Sequence, residues 1–199
     1  MASSSIVCAI SSTTSFSDRV KMIQKILFLT AIVASITLAQ GCATDSRTVG
    51  TQLDDENIEL SVRKAITDDD RLGDDVHVNI TCLNGTVLLT GEATTAEQRE
   101  IVVSRTRHFE GVKRVISEIN VAEPTTFANR VHDSWITGQV KAKMLDTPNL
   151  KSTRIKVVTE NSVVYLMGLV KQSEGELAAE TARTVGGITR VVKVFEYLD

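Results

Sequence analysis

The chain has 199 residues, 42% of them hydrophobic and 4% aromatic, so it has room for one medium-sized domain or two small ones. Its three cysteines and three histidines are scattered, which argues against a zinc site. The formal charge of −3 is unevenly distributed: residues 54–123 carry 8 basic and 15 acidic side chains, whereas residues 130–199 carry 10 and 8. Two halves of similar size and opposite charge suggest a division of roles.

The N-terminal segment has the pattern of a secretory signal. Lys21 and Lys25 precede the uncharged run ILFLTAIVASITLA, which is too short to span a bilayer comfortably but suits the apolar core of a signal. We therefore predict a signal peptide over residues 1–41, with translation starting near Val20 or Met22.

The apolar run ends in LAQGC, which resembles a bacterial lipobox although Ala39 stands where that motif prefers leucine. We predict acylation of Cys42, followed by a lipidated linker over residues 42–53. By analogy with lipoproteins that move to the outer membrane, Ala43 after the cysteine favours that membrane. The alternative is an ordinary secretory signal in which Cys42 is an incidental thiol.

The rest of the chain is a tandem duplication. NITCLNGTVLLTGEA and KVVTENSVVYLMGLV match, with Gly91 and Gly168 separated by 77 residues. The downstream matches are GVKRV at Gly111 and GITRV at Gly187. Upstream, one apolar series recurs 78 residues later: Ile58, Val62 and Ile66 against Ile136, Val140 and Met144. Such a period indicates two copies of one unit, each small enough to benefit from packing against the other.

Each copy predicts the order α-β-β-α-β. An amphipathic helix comes first, and DDENIE opens it in the first copy, where carboxylates suit the positive end of the helix dipole. Two alternating strands follow, joined in the first copy by the hairpin signal Asn84-Gly85. A second helix then joins strands that can lie parallel. The predicted fold is α+β: two tandem units, each a three-stranded mixed sheet with both helices packed on one face.

Candidate chemistry is sparse. Cys82 alternates with Val78 and Ile80 along a strand, which predicts a buried, inert thiol. TDDDRLGDD lacks the spaced ligands and terminal glutamate of a calcium loop, so we interpret it as a solvated loop. Gly91 and Gly168 are interpreted as strand-end positions that allow a helix to approach closely. We predict no catalytic residues, no metal and no cofactor.

The α-β-β-α-β unit, with LTGEA or LMGLV and the later GVKRV or GITRV, resembles the BON domain. The mature chain is similar to outer-membrane lipoproteins with two BON domains, above all in TDSRTVGTQLDD, SWITGQVKAKML and TENSVVYLMGLV. We place BON domain 1 at 54–123, a connector at 124–133 and BON domain 2 at 134–199. The resemblance implies a non-catalytic, periplasm-facing protein that supports outer-membrane integrity. It also implies that the first helix of domain 2, here Ser134 to Leu145, binds anionic phospholipid.

A comparison of the copies points to the same helix. On the face opposite the core stripe, the first copy carries Asn57, Leu60, Lys64 and Thr67. The second carries an apolar set with lysines on either side, and we predict these residues to bind lipid: Trp135, Gly138, Lys141, Ala142, Lys143 and Leu145. A tryptophan beside lysines suits the headgroup boundary of a membrane. The alternative is that this ridge packs against the first domain.

Two functions remain open at this stage. The first is binding to an anionic phospholipid membrane surface. The second is a protein-interaction scaffold or peptidoglycan-proximal stress protein without direct lipid binding, in which the acidic first domain docks envelope proteins. Neither involves nucleic acid or a small-molecule substrate.

Overall fold

The computed structural model describes residues 49–198, and both copies lie in one compact unit. The first contains α1 (Val49–Thr67), β1 (Val76–Leu83), β2 (Thr86–Ala93), α2 (Ala96–Arg107) and β3 (Arg114–Val121). The second contains α3 (Phe127–Leu145), β4 (Ile155–Glu160), β5 (Val163–Val170), α4 (Gln172–Arg183) and β6 (Arg190–Tyr197). The predicted α+β order is confirmed in both copies. The signal segment and Cys42 lie outside the described residues.

Each copy folds into a three-stranded mixed sheet. The first two strands pair antiparallel and the last pairs parallel to the second, in the orders β1-β2-β3 and β4-β5-β6. Tight turns join the antiparallel strands, and their residues take positive φ: 52° at Asn84 and 77° at Gly85, then 50° at Asn161 and 60° at Ser162. The hairpin predicted from Asn84-Gly85 is confirmed, and Asn161-Ser162 repeats it.

In each copy, both helices pack on one face of the sheet, and the hydrophobic core lies between the helices and that face. Val62, Leu89 and Val102 lie in the first core, and Ile136, Leu166 and Ala179 lie in the second. The apolar stripe that runs through Ile136, Val140 and Met144 is fully buried, as its spacing predicts.

The other faces of the two sheets pack against each other. This interface is an apolar cluster formed by Leu83, Leu88, Tyr165, Met167 and Val194. Burial there, with Glu118 beside the hydroxyl, raises the pKa of Tyr165 to about 12. The two sheets therefore bury apolar side chains against each other.

Ion pairs at the edge of this interface join the acidic copy to the basic one. Lys156 Nζ lies 3.1 Å from Glu59 and 2.7 Å from the carbonyl oxygen of Cys82. Arg190 pairs with Glu118 at 3.3 Å. The opposite charges of the halves thus contribute to holding the halves together.

Two helices begin earlier than the sequence predicted. α3 begins at Phe127 instead of Ser134, because the Thr126 hydroxyl accepts the backbone N–H of Asn129 and caps the helix. Most of the connector predicted at 124–133 is therefore helical. α1 begins at Val49, so the DDENIE run lies beyond its first turn instead of at its start.

The paired glycines are close-packed, although their neighbours are not helices. A Cβ at Gly91 would lie 2.0 Å from the carbonyl oxygen of His77, and one at Gly168 would lie 2.8 Å from that of Arg154. The predicted approach of a helix is wrong, because the backbone of the antiparallel partner strand, or of the turn before it, occupies this space.

The acidic loop after α1 is partly buried. Asp69 accepts a bidentate pair from Arg71 and lies 2.8 Å from Arg105. The hydrogen bonds from Arg71 hold the pKa of Asp69 well below its usual range. The predicted solvated loop is wrong at this residue.

Candidate functional site

The main exposed apolar feature of the second copy runs along α3. We define the α3 ridge as Phe127, Val131, Trp135, Gly138, Ala142 and Leu145. Their spacing of three or four residues puts them on one face, and all six are exposed. Phe127, Trp135 and Leu145 keep 75%, 54% and 68% of their surface accessible. The ridge extends from the first to the last residue of the helix and faces away from the Ile136 stripe.

The structure brings all six predicted lipid-binding residues onto this helix. Trp135, Gly138, Ala142 and Leu145 belong to the ridge, while the exposed side chains of Lys141 and Lys143 lie on either side of it. The alternative that the ridge packs against the first copy is wrong, because Phe127, Trp135 and Leu145 are exposed, whereas the apolar cluster between the copies lies between their sheets.

Sequence reasoning missed the first two residues of the ridge. Phe127 and Val131 precede Trp135 by eight and four residues, so the same helical spacing would have included them. The prediction did not include them because it placed the start of the helix at Ser134.

His132 supports the indole of Trp135. The two rings are stacked, with centroids 6.0 Å apart and planes 16° from parallel. The imidazole also lies close to Gly187, where an added Cβ would be 3.4 Å from Nε2. The indole of Trp135 therefore has the imidazole on one side and solvent on the other.

Positive charge surrounds the C-terminal half of the ridge. Lys141, Lys143 and Lys151 are exposed, and Arg154 is half-buried near the loop that follows α3. The nearest acidic residue along the helix is Asp146, which caps its C-terminal end. An apolar strip beside lysines can insert shallowly among lipid headgroups while the ammonium groups approach phosphates.

The corresponding face of α1 is different. It carries the exposed Leu53 and Leu60, together with Asn57 and Lys64. Among the side chains that the structure describes on this face, the apolar ones are fewer and have polar neighbours, so they form no continuous strip of the length found on α3.

A buried aspartate fixes α3 to its own hairpin. Asp133 is 5% exposed, and its carboxylate accepts the backbone N–H groups of Asn161 at 2.8 Å and Ser162 at 2.9 Å. Asp55 does the same in the first copy, for the N–H groups of Asn84 and Gly85. Sequence reasoning missed both residues, although they are 78 residues apart like the core stripe.

The sequence also singled out the Cys82 thiol. Cys82 is fully buried, and burial, together with a hydrogen bond to Asp55, raises the pKa of its thiol to about 12. The predicted burial of this thiol is confirmed. Within residues 49–198, no group of three or more His, Cys, Asp or Glu side chains could hold a metal ion. No helix in that range is long and apolar enough to cross a membrane.

Comparison with known proteins agrees with this architecture. The BON domain model matches residues 54–123 and 132–199. The chain is 38% identical over 177 residues to the outer membrane lipoprotein DolP of Haemophilus influenzae, a match that covers 87% of this chain and 92% of that protein. It is 37% identical over 154 residues to the 21 kDa hemolysin of Actinobacillus pleuropneumoniae, covering 77% and 79%.

A third relative is more distant. The osmotically-inducible protein Y of Escherichia coli is 29% identical over 146 residues, and the match covers 72% of each chain. The two matched regions cover the two α-β-β-α-β copies except for the first turns of α1 and α3, and the chain belongs to the BON domain family.

Proposed function

We propose that this protein is a lipid-anchored outer-membrane protein that faces the periplasm and binds anionic phospholipid through the α3 ridge of its second BON domain. In this way it supports outer-membrane integrity. The observation that carries the proposal is the exposed ridge, which contains Trp135 and has Lys141 and Lys143 beside it. The name of the Haemophilus influenzae relative supports the location.

The energetics fit weak, reversible binding. Each basic residue near an anionic surface contributes about 1 kcal/mol, so Lys141, Lys143 and Lys151 together contribute about 3 kcal/mol before salt screening. Burial of the ridge side chains in the headgroup region adds an apolar contribution. Acylation at Cys42 would strengthen this contact by raising the effective concentration of α3 at the membrane.

The alternative of a protein-interaction scaffold depended on the acidic charge of the first copy, and part of that charge is paired within the protein. Glu59 and Glu118, which belong to the acidic copy, pair with Lys156 and Arg190 of the other copy. Part of the acidic excess therefore acts within the protein, which leaves less of it to dock an envelope partner.

Vesicle co-sedimentation tests the proposal. The soluble fragment 45–199 is the suitable protein, because separating the copies would expose the apolar interface around Met167. We expect it to sediment with vesicles that contain phosphatidylglycerol and to remain in solution with pure phosphatidylcholine. Trp135→Glu should abolish sedimentation and added salt should weaken it.

Leu60→Glu is the matched control, since it places the same charge at an exposed apolar position of α1. Equal binding of Trp135→Glu and Leu60→Glu would contradict the proposed role of the ridge. The anchor is tested separately: palmitate should label the full-length wild type and not Cys42→Ser, and equal labelling would refute acylation at Cys42.

A further inference from the structure

An apolar cleft opens beside the C-terminal end of the α3 ridge. Its volume is about 180 Å³, and it lies between α3 and β4. Met144 and Leu145 form the helical wall, and Ile155 and Val157 form the wall on the strand. Met144, Ile155 and Val157 are otherwise core residues, so the cleft reaches from the surface to the hydrophobic core.

The rim of the cleft is polar. Lys141 lies one turn before Leu145 on the same helical face, and Ser152 and Thr153 lie on the opposite side. Within the described residues, the structure gives Lys141 no ion pair. A cation at the mouth of an apolar cleft is complementary to an amphiphile whose anionic group adjoins its hydrocarbon chain.

We propose that this cleft binds the first carbons of one acyl chain of an anionic phospholipid, with Lys141 paired to the phosphate. The inference rests on the proposed function, because it specifies how a lipid would be held once α3 lies at the membrane. An apolar cavity of about 150 Å³ holds a six-carbon ring, so this cleft accommodates about six or seven carbons.

The position of the cleft favours a lipid over other occupants. Leu145 belongs both to the α3 ridge and to the cleft wall, so the two surfaces are continuous. A chain that leaves the bilayer beside the ridge meets the cleft next. The aliphatic side chain of a protein partner could fill the same volume, but it would need a separate acidic residue to pair with Lys141, whereas a phospholipid carries both groups in one molecule.

Monomeric short-chain lipids test the proposal on the soluble fragment 45–199. The probes are dihexanoyl-phosphatidylglycerol below its critical micelle concentration, its dibutyryl analogue, and the chainless headgroup glycerophosphoglycerol. The measurement is the NMR shift of the Met144, Ile155 and Val157 methyl groups. We expect saturable shifts with the dihexanoyl lipid and none with the chainless compound. Affinity should fall about fourfold for each methylene lost from the bound chain.

A variant that fills the cleft provides a second test. Thr153→Leu adds apolar volume at the rim, where the native side chain is exposed. It should weaken binding of the dihexanoyl lipid at least tenfold. Ser173→Leu makes a comparable change at an exposed position on α4, outside the cleft, and should bind like the wild type.

Four results would overturn the proposal: unshifted methyl groups, equal shifts with the chainless headgroup, equal affinities of the two leucine variants, or shifts that depend on protein concentration without lipid. The last would identify a second copy of the chain as the occupant. The proposed function has a separate test. It fails if Trp135→Glu still binds vesicles, whether or not the cleft methyl groups shift with monomeric lipid.

Discussion

The buried carboxylate of Asp133 should be one of the main stabilising groups of the second copy. It accepts two backbone N–H groups of a turn whose residues both have positive φ. Hydrogen bonds to a charged acceptor contribute about 1.5–3 kcal/mol each, so two of them amount to about 3–6 kcal/mol. A second effect opposes this one: Asp133 helps to raise the pKa of the buried Glu160, so its removal relieves a repulsion.

We therefore expect Asp133→Ala to lower the free energy of unfolding by about 3 kcal/mol, towards the lower end of that range. In a protein of this size, that corresponds to a fall of roughly 6–12 °C in melting temperature. Urea denaturation followed by circular dichroism measures the free energy, and a thermal scan measures the melting temperature.

Two neighbouring variants calibrate the result. Asp133→Asn keeps one oxygen acceptor without the charge and should fall between the wild type and alanine. Ser134→Ala removes an exposed hydroxyl that donates only to the carbonyl of Arg130, and it should be nearly neutral. A loss of less than about 1 kcal/mol in Asp133→Ala would refute the argument, because even one charged hydrogen bond should exceed that value.

Three further substitutions should change the stability of the protein: the first should lower it, and the other two should raise it. Gly91→Ala should destabilise the fragment by about 3 kcal/mol or more in urea denaturation, because φ is +120° and the Cβ would lie 2.0 Å from the His77 carbonyl; a wild-type midpoint would contradict that packing. Gly138→Ala, with no atom within 4 Å of its Cβ, should stabilise α3 by about 0.5–1 kcal/mol; a lower melting temperature would contradict this. Burial among Glu92 and Asp133 raises the pKa of Glu160, so its ionised form weakens the folded state above that pKa. Glu160→Gln should therefore be more stable than wild type at pH 7, and the difference should disappear as pH falls to the ordinary glutamate range; a pH-independent difference would refute this.

The hairpin turn and the buried helical face were predictable because their signals are local. Asn84-Gly85 requires a tight turn, and the stripe through Ile136, Val140 and Met144 requires one buried helical face. Both signals depend on residues within a few positions of each other, and both are confirmed.

The packing of sheet on sheet was harder to predict. In β5, Tyr165 and Met167 alternate with Val164 and Leu166, so the strand is apolar on both faces. Such a run predicts burial on both sides, but it does not identify the covering partner. The start of α3 was missed for another reason. A single hydroxyl, that of Thr126, decides where the helix begins, and the polar residues after it match a loop as well as an exposed helix.

The fluorescence of Trp135 tests the central claim most directly. It is the only tryptophan in the sequence, so its emission reports the α3 ridge alone. With fragment 45–199 and phosphatidylglycerol vesicles, the account predicts a blue shift, quenching by phospholipids brominated near the top of the acyl chain, and reversal of both by salt. An unchanged emission spectrum from protein that still sediments with these vesicles would contradict it, because the membrane would then be bound by another surface.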